Sequence, residues 1–223
     1  MLNRGYIFDL DGTLVNSYPE IYRAFEMALS GIGEPSLSKS RLAPLIGTSM
    51  SVVIDELFPE WSNEKRDTFR QKFGELYDAV CDQSQAFEGA GEMLRFLEGR
   101  YVIVSNKPRG WSERLVTALG WKPLALICPG PTMARKPSPD MLFEGVRRLR
   151  ESFDAETVVT IGDSIADQMA AERANLTFFQ VAWSYHKTIC DGVVSGWADF
   201  LREMQADTGG RDVYLGAPGL SRD

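Results

Sequence analysis

The sequence is short of several things, and each shortage argues against a class of function. It has 3 cysteines in 223 residues: Cys81, Cys128 and Cys190, widely spaced and without a Cys-x-x-Cys pair. That pattern argues against a disulfide scaffold and against structural zinc, and it fits reduced thiols. Histidine is scarcer still. His186 is the only one, in a stretch beside Lys187 that reads as loop, so a histidine base is not expected. No apolar run approaches the ~18 residues of a membrane span. The opening Met1-Leu2-Asn3-Arg4-Gly5 leads into a strand without a signal-peptide core or a myristoylation pattern, so a cytoplasmic protein is expected. Positive charge is also in short supply. With 24 Lys and Arg against 31 Asp and Glu, the net charge is −7, which argues against nucleic acid as a partner but leaves room for a local basic pocket.

What is present reads as a folded, mixed chain. With 44% apolar and 25% charged residues, it can build one large domain or a core domain with a smaller companion. The most informative stretch is Tyr6-Ile7-Phe8-Asp9-Leu10-Asp11-Gly12-Thr13-Leu14-Val15. It begins as a short apolar strand and stops on two carboxylates one residue apart, followed by a Gly that permits a sharp turn and a Thr with a hydroxyl to offer. An unpaired buried charge costs on the order of several kcal/mol. Two acids at the end of a core strand therefore point to a metal or a transferring group. The plain alternative is an Asx-type turn that stops the strand.

Residues 16–87 are helical in pattern and contain no convincing strand. Ile21, Phe25, Ala28 and Leu29, then Phe69, Phe73, Leu76, Tyr77 and Val80, recur at helical spacing. Shorter helices are expected over 36–44 and 49–58, punctuated by Pro35, Pro44, Gly47 and Pro59. The segment is a small bundle inserted just after the acidic strand end, where it can cover that site. From Phe87 onward helix and strand alternate. A helix carries Met93, Leu94 and Leu97, and a strand over 101–105 runs into Asn106-Lys107. A helix near 112–119 and a strand near 124–128 follow. Ser138 then reads as the N-cap of a helix with Pro139 at its first position. A strand over 157–161 ends in Gly162-Asp163-Ser164, a helix covers 164–174, and a strand over 177–181 closes the series before a last helix with Trp197 and Phe200. Residues 207–223 have too little apolar content to pack and read as a disordered tail.

This alternation implies an α/β fold: a Rossmann-like, mainly parallel sheet with both faces covered, built from 1–15 and 88–206, with a helical-bundle cap over 16–87. Ligands of such sheets bind at the carboxyl ends of the strands. The polar residues fall there: Asp9 and Asp11, then Ser105 and Asn106, then Asp163, with Lys136 at the entrance to a helix.

Acids with a Lys and a Ser suit a phosphate handled with a divalent cation. Mg²⁺ prefers carboxylate and carbonyl oxygens, which Asp9 and Asp163 can supply. A carboxylate can also attack phosphorus, splitting one hard displacement into two easier ones. The Ser105 hydroxyl and the Lys136 ammonium would stabilise the transferring charge. Asp11 could protonate the leaving oxygen and later take a proton from water. Asp167 either holds Lys136 and supports the metal or only favours the helix dipole. Lys107 reads as a contact for the substrate phosphate or as a solvated strand-end lysine, and Gly47 as a loop over the substrate or as a plain turn.

The strings Asp9-Leu10-Asp11-Gly12-Thr13, Val104-Ser105-Asn106-Lys107-Pro108, Lys136-Pro137 and Gly162-Asp163-Ser164-x-x-Asp167 resemble, in order, the four motifs of the haloacid dehalogenase-like phosphohydrolases. Within that superfamily the chain looks most similar to the phosphoglycolate phosphatase and β-phosphoglucomutase group. The resemblance implies Asp9 as nucleophile, Asp11 as acid/base, and Ser105 and Lys136 as positioners of phosphate and nucleophile. It implies Mg²⁺ on Asp9, the Asp11 carbonyl and Asp163, with Asp167 in support, and a helical cap inserted after the first motif. Candidate substrate contacts are Thr13, Asn106, Lys107 and Gly47. Dehalogenation is disfavoured because Asp11 is present. The cap-region lysines Lys39, Lys65 and Lys72 match no arrangement for a Schiff base. The expectation is a Mg²⁺-dependent phosphomonoesterase of a small phosphorylated metabolite, with a phosphomutase or a non-catalytic phosphate-binding regulatory protein as alternatives. Substrate identity and oligomeric state stay open at this level.

Overall fold

Alternating side chains along short, doubly buried strands decide which helices cover the main sheet. In this computed structural model, which describes residues 3–184, 186, 190 and 192–206, the chain begins with β1 (Arg4–Phe8), β2 (Val15–Asn16), α1 (Tyr18–Gly31), α2 (Lys39–Leu42), a 3-10 turn (Ala43–Leu45), α3 (Met50–Leu57), α4 (Asn63–Asp78) and β3 (Gln85–Ala86). It continues through α5 (Ala90–Phe96), β4 (Tyr101–Val104), α6 (Arg109–Ala118), β5 (Leu126–Ile127), α7 (Asp140–Phe153), β6 (Thr157–Gly162), α8 (Ile165–Arg173), β7 (Thr177–Val181), β8 (Val193–Val194) and α9 (Trp197–Ala206).

Six strands form the main sheet in the order β5-β4-β1-β6-β7-β8, each pair parallel. The chain leaves β1 to build one side, then returns to build the other. β1 is therefore where the strand order reverses, the place at which such sheets open a crevice for ligands. Tyr6 and Phe8 pack on the face covered by α5, α6 and α9, while Ile7 packs on the face covered by α7 and α8. Phe8 is fully buried and meets Trp197 edge-on at 5.6 Å; burying such a side chain contributes about 1.5–3 kcal/mol.

Helices α1, α3 and α4 enclose a separate core around Phe25, Ile54, Trp61, Phe69 and Phe73. The two chain segments that lead into and out of it, β2 and β3, pair antiparallel with Val15 opposite Ala86. No strand is expected from the sequence within 16–87, because two residues are too few to show a period. For the same reason β8 escapes notice and extends the sheet beyond β7, which the alternation predicts to be last.

Helix starts differ as well. Pro139, not Ser138, occupies the cap position of α7; the Ser138 hydroxyl donates to Asp140 Oδ1 at 2.9 Å instead. α6 starts at Arg109, behind Pro108. The expected 36–44 helix is a single α-turn continued by the 3-10 turn that contains Pro44, whose missing N–H suits a break there. The predicted tail over 207–223 lies outside the described residues. No helix among the described residues is long and apolar enough to cross a membrane.

Candidate active site

Parallel pairing sets two acids side by side. Phe8 stands opposite Ile161, and the Asp9 N–H donates to the Ile161 carbonyl at 2.9 Å. Asp9 and Asp163 therefore leave the sheet from neighbouring strand ends. The chain then turns at Gly12, whose φ is 85°. A Cβ there would stand 2.4 Å from Asp163 Oδ2, so glycine is required both by the backbone and by the acid beside it. The turn is braced from outside. Trp183 Nε1 donates to the Gly12 carbonyl at 3.1 Å, Thr13 Oγ1 donates to Asp163 Oδ1 at 3.2 Å, and Ser184 Oγ donates to the Asp163 carbonyl at 2.5 Å. Gly12→Ala is expected to cost about 2 kcal/mol of stability, read from denaturant midpoints; an unchanged midpoint would contradict this close approach.

Lys136 gathers the acids from below. Its ammonium donates to Asp9 Oδ1 at 2.6 Å, to Asp167 Oδ1 at 2.5 Å and to the Val104 carbonyl at 2.9 Å. Asp167 is fixed by its own helix: its Oδ2 accepts from the Ser164 N–H at 3.0 Å, and its N–H donates to Ser164 Oγ at 3.2 Å, a capping box on α8. One residue thus closes a helix end and holds Lys136.

The loop after β4 ties this group to the bundle. Ser105 is buried, and its Oγ accepts from the Lys107 N–H at 3.1 Å. Asn106 Oδ1 accepts from the Lys136 N–H at 2.8 Å, while its Nδ2 donates to the carbonyls of Lys136 and Gly47, both at 3.0 Å. Gly47 therefore reaches the core through its backbone oxygen. Lys107 is not solvated. It is 7% exposed and donates to Asp11 Oδ1 at 2.8 Å and to the hydroxyl of Tyr77 on α4.

The structure brings every candidate residue read from the sequence to this place, but Thr13, expected as a substrate contact, is fully buried on Asp163 and off the cavity lining. Tyr77 is the addition: it lies four residues after Phe73 on the apolar stripe of α4, and periodicity does not separate a tyrosine whose hydroxyl reaches a charge from one that only packs. The only histidine lies at a bend after β7, behind Asp163 and off the cavity lining: its N–H donates at 2.8 Å to Ser184 Oγ, the hydroxyl that bonds the Asp163 carbonyl, and burial lowers its imidazole against the pull of Asp167.

Among the described residues the buried charges are Asp9, Asp11, Asp163, Asp167, Lys107 and Lys136, two carboxylates more than ammoniums. Ionisation reflects that surplus. Burial pushes Asp9 up to about 7, against the pull of Lys136 and with the Asp167 and Asp11 carboxylates adding to it. Burial also drives Asp163 well above the carboxylate range, reinforced by Asp9 and Asp167. Burial alone would lower Lys136, but Asp167 and Asp9 outweigh it and hold the ammonium above its ordinary range; Asp11 and Tyr77 do the same for Lys107. Asp9, Asp163 and Asp167 each present an oxygen within 4.8 Å of the others. Hard oxygen donors, acids driven toward neutrality and a deficit of two positive charges fit one divalent cation.

Between sheet and bundle lies a cavity of about 330 Å³. Asp9, Asp11, Ser105, Asn106 and Lys107 line it from the core, and Phe25, Gly47, Phe73 and Tyr77 from the bundle, with Arg70, Trp111 and Arg135 also on its walls. Its size suits a small organic ligand.

Residues 6–181 match the family described as haloacid dehalogenase-like hydrolase. A phosphoglycolate phosphatase of Xanthomonas campestris pv. campestris is 31% identical over 207 residues, covering 90% of this chain and 92% of that protein. One from Cereibacter sphaeroides is 32% identical over 185 residues, covering 78% and 83%. The solved structure of a hydrolase from Pseudomonas syringae superposes with a TM-score of 0.74 at 23% identity, over 91% of this chain and 98% of the other, a likeness of fold. By these matches the chain belongs to the haloacid dehalogenase-like hydrolases and is an enzyme of their phosphatase branch.

Proposed function

We propose that the protein hydrolyses the phosphomonoester of a small organic metabolite, with Mg²⁺, through an aspartyl-phosphate on Asp9. The observation that carries this reading is the separate pairing of the two acids on one cavity: Asp9 with Lys136, Asp11 with Lys107. In the first half, a carboxylate oxygen of Asp9 bonds to phosphorus. The bond from phosphorus to the ester oxygen breaks, and its electron pair goes to that oxygen, which takes the proton of the Asp11 carboxyl. In the second half, water bonds to the same phosphorus and gives a proton to the Asp11 carboxylate. The bond to Asp9 breaks, its pair returns to the carboxylate, and inorganic phosphate leaves.

Lys136 orients Asp9, and the Ser105 hydroxyl holds the phosphoryl oxygens. Asp9, Asp163 and the Asp11 carbonyl would hold the cation, with Asp167 in support; when bound it supplies charge neutralisation on the transferring group. The bundle of residues 16–87 acts as a cap that excludes bulk water and selects the leaving group. Three unpaired cysteines support a cytoplasmic setting.

Phosphoglycolate, the substrate in the names of both relatives above, is the first compound to assay, beside phosphorylated sugars and nucleotides. Phosphate release is expected to fall about a hundredfold in chelator and to return on adding Mg²⁺. Equal rates with and without chelator would remove the cation from this reading. Isomerised sugar phosphate without phosphate release would replace hydrolysis by mutase chemistry.

A further inference from the structure

We propose that Lys107, steadied by Tyr77 of the helical bundle, is the positioning residue for the Asp11 carboxylate, so that the bundle completes the proton-transfer group of the core. This rests on the reading of Asp11 as acid/base. Asp11 sits in the turn just before Gly12, and its carboxyl must point in one direction if its proton is to reach the leaving oxygen. The Lys107 ammonium, 2.8 Å from Oδ1, sets that direction.

Lysine alone is a poor guide. Its four-carbon stem rotates easily, and an ammonium 4% exposed at the side chain needs partners in place of water. Tyr77 meets both needs. Its hydroxyl accepts an ammonium N–H, and its ring centroid lies 4.8 Å from Nζ.

Tyr77 is itself held on several sides. Its ring stacks on Phe73 at 5.5 Å and meets Trp111 edge-on at 4.9 Å. The next residue, Asp78, is clamped to α6: Trp111 Nε1 donates to Asp78 Oδ1 at 3.1 Å, and Arg114 Nη1 donates to the Asp78 carbonyl at 2.8 Å. The last turn of α4 is thereby fixed on the core with the Tyr77 hydroxyl over Lys107. The Lys107 ammonium lines the cavity, but it is already shared between the Asp11 carboxylate and the Tyr77 hydroxyl, and that pairing assigns it to Asp11 ahead of the substrate phosphate.

The test is a comparison of leaving groups. kcat/KM reports events up to transfer onto Asp9. An alkyl phosphate needs its leaving oxygen protonated in that step, whereas p-nitrophenolate leaves unaided. Tyr77→Phe keeps the ring and removes the hydroxyl; it is expected to lower kcat/KM about tenfold for an alkyl phosphate and about twofold for p-nitrophenyl phosphate. Lys107→Met should lower them about a hundredfold and about tenfold, with Lys107→Arg recovering part of the alkyl loss. Inhibition by inorganic phosphate should stay within about twofold of wild type in each variant. Equal losses on both substrates would overturn the proposal, and so would a matching loss of phosphate inhibition, which would make Lys107 a phosphate contact. Asp11→Asn in the same assays separates the two levels. Equal losses on both substrates in that variant defeat the reading of Asp11 as acid/base, whereas a larger alkyl loss in Asp11→Asn beside equal leaving-group losses in the Lys107 and Tyr77 variants defeats only the positioning of Asp11.

Discussion

Replacing Asp9 by Asn is expected to lower phosphate release on the order of 10⁴-fold or more and still to leave a protein at least as stable as the wild type. The loss follows from removing the oxygen that bonds to phosphorus. The stability follows from burial. Asp9 is pushed by burial from an ordinary 3.8 to about 7 in the folded chain. Between those values the folded state keeps a proton that the unfolded chain has released, so stability falls as pH rises through that window. Above it, the metal-free wild type carries the net cost of an ionised carboxylate that burial and the neighbouring acids disfavour more than Lys136 favours. Asn has nearly the same shape without the charge. In chelator at about pH 8, Asp9→Asn should unfold at a higher denaturant concentration than wild type, and the gap should close as the pH falls toward 4. A variant less stable than wild type at the higher pH would show that the Lys136 pairing outweighs burial. Undiminished phosphate release would remove Asp9 as nucleophile.

Lys136→Met should do the reverse. It takes the one ammonium from between Asp9 and Asp167 and leaves two carboxylates, with Asp163 close by, facing each other without a counter-charge. Breaking a buried ion pair by removing one partner costs about 3–5 kcal/mol, so the metal-free variant should unfold at a markedly lower denaturant midpoint. Activity should fall as well, on the order of 10²- to 10³-fold, because Asp9 loses the contact that orients it. Mg²⁺ should recover more stability in this variant than in wild type, since a dication on the same carboxylates replaces the missing charge. If Lys136→Met unfolds in chelator at the wild-type midpoint, the carboxylates are not held by that lysine.

The parts of the fold that could be read from the residues are those with a repeating pattern long enough to register. β4 is a continuous apolar run and β1 and β6 are mostly apolar, and α1 and α4 carry helical stripes, so their type and order follow from burial. β2, β3 and β8 are two residues each and leave no pattern, whereas β5, equally short, shows through the apolar run 124–128 in which it lies. The cap of α7 went to Pro139 because the Ser138 hydroxyl turned to the Asp140 carboxylate instead.

Sequence alone determined which chemical groups are present and on which strand ends they stand: Asp9 and Asp11 after β1, Ser105 and Asn106 after β4, Asp163 after β6. It could do so because strand ends are local features, and polar residues that close a buried strand announce themselves by their cost. Tertiary structure decided which groups share a proton or a charge. Lys136 joins Asp9 to Asp167 across 127 and 31 residues of chain, and Lys107 joins Asp11 to Tyr77 across 96 and 30. Those pairings depend on how far each loop reaches and which way each side chain turns, and neither has a period that a one-dimensional pattern can carry.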